Sequence, residues 1–162
     1  MNAPVMTAVS ESDRLLSART GKDFCNEKDV PWTPWVMPGT YFKLFCVNYQ
    51  TGGFTTLLKI DPDFRAPVHR HLGAAEAYIL EGGFYYDEDD QGMAGDYTYE
   101  AGGITHEPYS THGCVMFAIV HGPNVGLDDN GNPNFAIDAT MMMQIARENN
   151  VHAHVIEVGK VG

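Results

Sequence analysis

The apolar residues of this chain come in short runs, and each run is closed by glycine, proline or an Asp/Asn turn. That punctuation constrains the fold more than any other feature. The runs Tyr41–Tyr49, Phe54–Ile60, Val68–Leu72, Ala75–Leu80 and Cys114–Val120 are five to nine residues long and rich in aromatic and β-branched side chains. Such segments suit a pleated, half-buried surface and are too short for most helices. Gly82-Gly83 breaks the chain before Phe84–Tyr86 begins a further strand, and Asp128–Gly131 carries a strong hairpin signal. Cys114–Val120 is nearly all apolar and is predicted to be buried on both faces. The best helical pattern is Ala139–Glu148, and Val151–Val158 closes the chain as an alternating strand or extended tail. Short strands at regular spacing predict an all-β sandwich or barrel. The expected organisation is an N-terminal arm over 1–37, a barrel over 38–127, and a C-terminal hairpin, helix and tail over 128–162.

The length of 162 residues suits one domain with a core of its own. A net charge of -11 argues against nucleic acid and against an anionic membrane surface, both of which need a basic face. It leaves a small substrate inside the barrel open. Three cysteines at long spacings give neither a disulfide framework nor a zinc-ribbon pattern, which fits a reducing compartment. The opening MNAPVMTAVSESDR lacks the basic and apolar regions of a secretory signal, so a cytoplasmic protein is expected. A short helix over Glu11–Ala18 or an extended, exchangeable arm fits this start. Trp32 and Trp35, set among three prolines, read as plugs of the barrel or of a subunit interface.

One segment carries chemistry. In PVHRHLGAAEAYILEGG, His69 and His71 sit two apart on a strand and leave the same face. Glu76 follows five residues later, beyond a glycine that permits a bend. AGDYTYEAGGITH ends in His106 behind a Gly-Gly turn that lets the chain fold back. Three imidazoles and one carboxylate can thereby converge, a ligand set that suits Fe(II), Mn, Ni, Cu or Zn. Two histidines alone would mark only a polar strand face. Alternation puts Tyr78 on the face of Glu76, making it the best pocket candidate among the strand tyrosines.

The spacing His69-x-His71-x4-Glu76-x5-Gly82 resembles the first motif of the cupin superfamily, and Gly95-x5-Ala101-x-Gly103-x2-His106 resembles the second. Ala101 and Ser110 stand where cupins usually carry Pro and Asn. The strings HRHLGAAEAYILEGGFYY, TYEAGGITHEPYS and FAIVHGPNVGLDDNG look like the family of 2,4'-dihydroxyacetophenone dioxygenase, which is similar to the acetylacetone-cleaving dioxygenase. The resemblance implies a jelly-roll barrel, a non-haem Fe(II) site, O2 as co-substrate and cleavage of a C–C bond beside a carbonyl. It implies His69, His71 and His106 as the chief ligands, with Glu76 either a ligand or standing back. Glu100 resembles a glutamate that sits behind the ligands in this family, orienting His106 or assisting proton removal.

The other histidines read as structural. His121 ends an apolar strand, and His152 and His154 repeat the H-x-H spacing with no partner motif, as surface or interface residues do. Met141–Met143 suits helix packing or a dimer contact. The expected function is therefore a dioxygenase acting on a small hydroxyketone or β-dicarbonyl, in a homodimer or homotetramer. The competing readings are a Zn-, Mn- or Ni-dependent isomerase or hydrolase, and a non-catalytic metal or ligand sensor.

Overall fold

Alternation along the strands decides which side chains enter the core. The computed structural model describes residues 24–160; the helix expected over Glu11–Ala18 lies outside them. After a short 3-10 turn at Glu27–Asp29 come β1 (Thr33–Pro34), β2 (Thr40–Asn48), β3 (Gly53–Ile60), β4 (Phe64–Arg65) and β5 (His69–His71). Next are β6 (Ala75–Tyr85), β7 (Gln91–Met93), β8 (Tyr97–Glu100), β9 (Thr105–His106) and β10 (Tyr109–Ser110). The chain ends with β11 (Cys114–Val120), β12 (Asn124–Leu127), β13 (Pro133–Ile137), helix α1 (Ala139–Glu148) and β14 (Ile156–Val158).

The strands form two sheets. The larger runs β1-β2-β3-β11-β6-β10-β4, with β14 on β2 and both β7 and β8 on β6. The smaller is β13-β12-β5-β9. Nearly all pairs are antiparallel; β14 lies parallel to β2. No described helix is long and apolar enough to cross a membrane.

The core is built from the inward residues of the large sheet. Phe42, Leu44, Val47, Phe54 and Val120 pack with Met142, Met143 and Ala146 of α1. Asp138 caps that helix, its side chain accepting from the Met141 backbone N–H at 2.9 Å, which satisfies an otherwise orphaned donor. Met142 and Met143 are thus helix-packing residues. Trp35 closes over them and donates from Nε1 to Met142 Sδ at 3.0 Å.

Two strand expectations are corrected. The break expected at Gly82-Gly83 does not occur: one long strand, β6, runs through both glycines, and its register against β11 shifts just before them, at Leu80, between the pairs Val115–Glu81 and Met116–Ile79. Gly82 takes φ 65, and a Cβ there would sit 2.0 Å from the Gly113 carbonyl oxygen, so glycine lets the strand bend without ending. Second, β11 is buried on one face only. Cys114, Met116, Ala118 and Val120 point inward, while Phe117 is 37% exposed on the outer face. Val115 and Ile119 on that face are only half-buried, so among the described residues the apolar run is covered fully on one side alone. The smaller sheet starts from the Asp128 turn, where Asp128 Oδ1 accepts from the backbone N–H of Asn130 and Asn132 and fixes the β12–β13 hairpin.

Candidate metal centre

The smaller sheet places the histidines. β5 lies between β12 and β9, and His69 is the direct cross-strand partner of His106. Residues paired in this way leave the same face of a sheet. His71, two residues on from His69, shares that face. The return of the chain depends on the expected glycine turn: Gly103, at φ 92, donates its backbone N–H to the His71 carbonyl at 2.7 Å.

The three Nε2 atoms converge. They are 3.2 Å apart for His69–His71, 3.0 Å for His71–His106 and 3.0 Å for His106–His69. Metal–imidazole bonds of about 2.0–2.1 Å put adjacent ligand atoms roughly 3 Å apart, so the cluster fits an ion bound to all three. The tautomer of His69 supports the same conclusion. Its Nδ1 lies 2.9 Å from the Pro67 carbonyl; a carbonyl only accepts, so Nδ1 carries the hydrogen and Nε2 presents a lone pair. Together these three residues could hold a metal ion.

Burial keeps the imidazoles neutral, as ligands must be. It pushes His71 down to about 3 and His106 down to about 4, with neighbouring histidines adding to the effect, and it lowers His69 too. The ordinary value is 6.5. Between pH 6.5 and 4 the unfolded chain therefore takes up protons that the folded chain refuses. Stability of the metal-free protein is full above this window and falls as pH drops through it. Calorimetry should find its melting temperature lower at pH 5 than at pH 7 by on the order of 5 °C; a flat profile would mean that the imidazoles are solvated.

Glu76 does not join the cluster. It borders the cavity wall, but its carboxylate accepts from Tyr97 Oη at 2.6 Å and pairs with His121 Nε2 at 2.6 Å. These hydrogen bonds, Tyr97 first, hold its pKa below the ordinary value. The reason is parity. Ala75, Ala77 and Ile79 face the core, so Glu76 and Tyr78 take the opposite, outer face, and Tyr78 is 47% exposed. Tyr78 therefore does not line the cavity beside the histidines. Glu76 acts as a staple across β6, β8 and the end of β11. Exposed pairs of this kind contribute little, so Glu76→Gln should leave metal content unchanged and lower the melting temperature only slightly. Elemental analysis of the variant checks this, and a clear loss of metal would restore Glu76 to the ligand set.

Glu100 reaches the site from an unexpected side. Opposite Ala75 on β8, it points inward with Thr98, while Tyr97 and Tyr99 point out. Its Oε2 is 3.3 Å from His71 Nε2, and its Oε1 is 3.8 Å from His106 Nε2. A residue orienting His106 from behind would lie against Nδ1. Glu100 instead stands on the Nε2 side, next to the place an ion would take. Burial raises its pKa, opposed by a hydrogen bond from Tyr86. The Tyr86 hydroxyl donates to Glu100 Oε1, and its ring stacks on His106 with centroids 5.1 Å apart. Tyr86 was not visible as a site residue in the sequence. The available signal was the alternation of β8, where aromatic residues on one face leave Glu100 on the other.

Behind the histidines lies a cavity of about 130 Å³ between the two sheets. Its walls include Trp35, Phe54, Leu58, Phe64, Met116 and Phe135, and among the described residues no lysine or arginine borders it. Phe135 belongs to a row that crosses the smaller sheet as Phe135, Gly126, His69 and His106. Gly126 leaves room for that ring: a Cβ there would sit 2.0 Å from Phe135 Cε1.

Residues 20–124 of the chain match a known family model, described as the ChrR cupin-like domain. The chain belongs to this cupin family. Among solved structures, the cupin is similar to an RmlC-like cupin of Ralstonia eutropha at 28% identity, with a TM-score of 0.71 over 83% of this chain and 90% of that one. It shares its fold with a candidate acetylacetone dioxygenase of Methylibium petroleiphilum at 18% identity and TM-score 0.72, covering 78% of this chain and 95% of the other. It likewise shares its fold with an acetylacetone dioxygenase of Acinetobacter johnsonii at 16% identity and TM-score 0.69, covering 91% and 99%. No curated protein matches the chain.

Proposed function

We propose that this cupin is an Fe(II)-dependent dioxygenase that cleaves the C–C bond beside a carbonyl in a small, uncharged hydroxyketone or β-dicarbonyl. The observation that carries the reading is the convergence of His69, His71 and His106 beside an apolar cavity, with the Glu100 carboxylate on the ligand side of the rings. The fold shared with an acetylacetone dioxygenase supports the same chemical class.

Three neutral imidazoles would leave a divalent ion with its full positive charge. A ferrous ion there would supply Lewis acidity toward the carbonyl oxygen and the redox chemistry needed for O2. The residues do the rest. Glu100 Oε2 takes the proton from the carbon next to the carbonyl, a task favoured by its raised pKa. Tyr86 holds that carboxylate in place from Oε1. The apolar walls exclude water and favour an uncharged substrate, because among the described residues no lysine or arginine borders the cavity to receive an acid. The overall change is balanced by O2 alone: a 2-hydroxyketone gives two carboxylic acids, and a β-diketone gives a carboxylic acid and a dicarbonyl. Both oxygen atoms end in the products.

The test is metal analysis of anaerobically purified protein, followed by oxygen-electrode assays over 2-hydroxyacetophenones and β-diketones. Iron with oxygen uptake is the expected result. Tightly bound zinc with no uptake after ferrous reconstitution would overturn it in favour of a hydrolase, an isomerase or a sensor.

A further inference from the structure

Among the described residues, two buried side-chain polar atoms have no hydrogen-bond partner: His71 Nδ1 and Asn124 Oδ1. They are not scattered. Asn124 on β12 is the direct cross-strand partner of His71 on β5, so the two side chains leave the sheet on one face with Cβ atoms about 5 Å apart. Both residues border the cavity. Their chemistry is complementary. His71 Nε2 belongs to the cluster; with a lone pair there, its hydrogen sits on Nδ1, a donor without an acceptor. Asn124 Oδ1 is an acceptor without a donor. The neighbouring ligand shows the finished arrangement, since His69 gives its own Nδ1–H to the Pro67 carbonyl.

We propose that Asn124 is a positioning residue of the metal centre, its side-chain oxygen accepting the His71 Nδ1–H, directly or through one water, when an ion is bound. The inference rests on the metal-site reading of the three histidines and not on the dioxygenase reading. Ligand histidines commonly give their second N–H to such a partner, which fixes the ring and raises ligand basicity. Among the described residues nothing hydrogen-bonds that nitrogen, and Asn124 is paired directly opposite His71.

The experiment is a chelator-competition titration of the full chain with zinc or cobalt(II). Asn124→Leu keeps the bulk of the side chain and removes the acceptor, so affinity should fall about 10–100-fold, the range seen when outer partners of ligands are lost. Asn124→Asp restores an acceptor and should recover most of that loss. Nitrogen-15 NMR of the zinc-loaded wild type adds a readout that needs no variant to fold: the His71 Nδ1–H should be present and protected from exchange. Wild-type affinity in Asn124→Leu, or a rapidly exchanging His71 Nδ1–H, would overturn the proposal. A raised KM with unchanged metal affinity would also overturn it, and would assign Asn124 to the substrate. His106→Ala separates the two layers. If it too binds metal normally, the centre itself is misread; if it loses metal while Asn124→Leu does not, only the role of Asn124 fails.

Discussion

His106→Ala is expected to reduce bound metal from about one ion per chain to a small fraction, with affinity falling by well over 100-fold, beyond what loss of an outer partner does. The three Nε2 atoms lie within 3.2 Å of each other, so each contributes one corner of a single face, and two imidazoles cannot replace three. The variant should still fold. His106 lies on the two-residue strand β9 at the edge of the smaller sheet, and the main core is formed elsewhere, by β2, β3 and α1. Elemental analysis with circular dichroism separates the outcomes. Full metal content in a folded variant would refute the site as described.

Glu100→Gln should do the reverse, keeping metal and losing turnover. The amide carbonyl can still accept from Tyr86, so the local packing survives, but the group can no longer take a proton. Loss of a positioned general base costs about 10²–10⁴ in rate. The pH profile gives a second reading. In the wild type, kcat should fall as pH drops through the raised Glu100 value, which lies above the ordinary 4.5; in Glu100→Gln that limb should vanish. Steady-state oxygen uptake across pH, with metal content measured in parallel, checks both. If metal is lost along with activity, Glu100 is a ligand and not a base.

The strands and the histidine cluster were legible for the same reason: both depend on local spacing. His69 and His71 share a face because strands alternate, and Gly103 returns the chain in the turn its position implies. Ala139–Glu148 was readable as a helix, cap to cap. What was not legible depended on which face of the large sheet is the inside. Glu76 has the right distance in sequence, but the small residues Ala75 and Ala77 take the inner positions and leave it outside. On β8 the usual pattern is inverted: Tyr97 and Tyr99 are about 60% exposed while Glu100 is tucked in. A reader of patterns puts tyrosines inward and glutamate outward; a site that needs a buried carboxylate departs from that rule. The continuity of β6 was hidden because a glycine pair signals a stop as readily as a bend within a strand.

The row Phe135, Gly126, His69, His106 has a practical meaning beyond its geometry. The phenyl ring occupies the volume a side chain at 126 would claim, one strand away from His69 of the candidate metal centre. Any larger residue at 126 must move the ring and so redraw the cavity beside the histidines. Position 126 is thus an adjustable partition. It is a place where the shape of the cavity can be changed without replacing any of the three histidines.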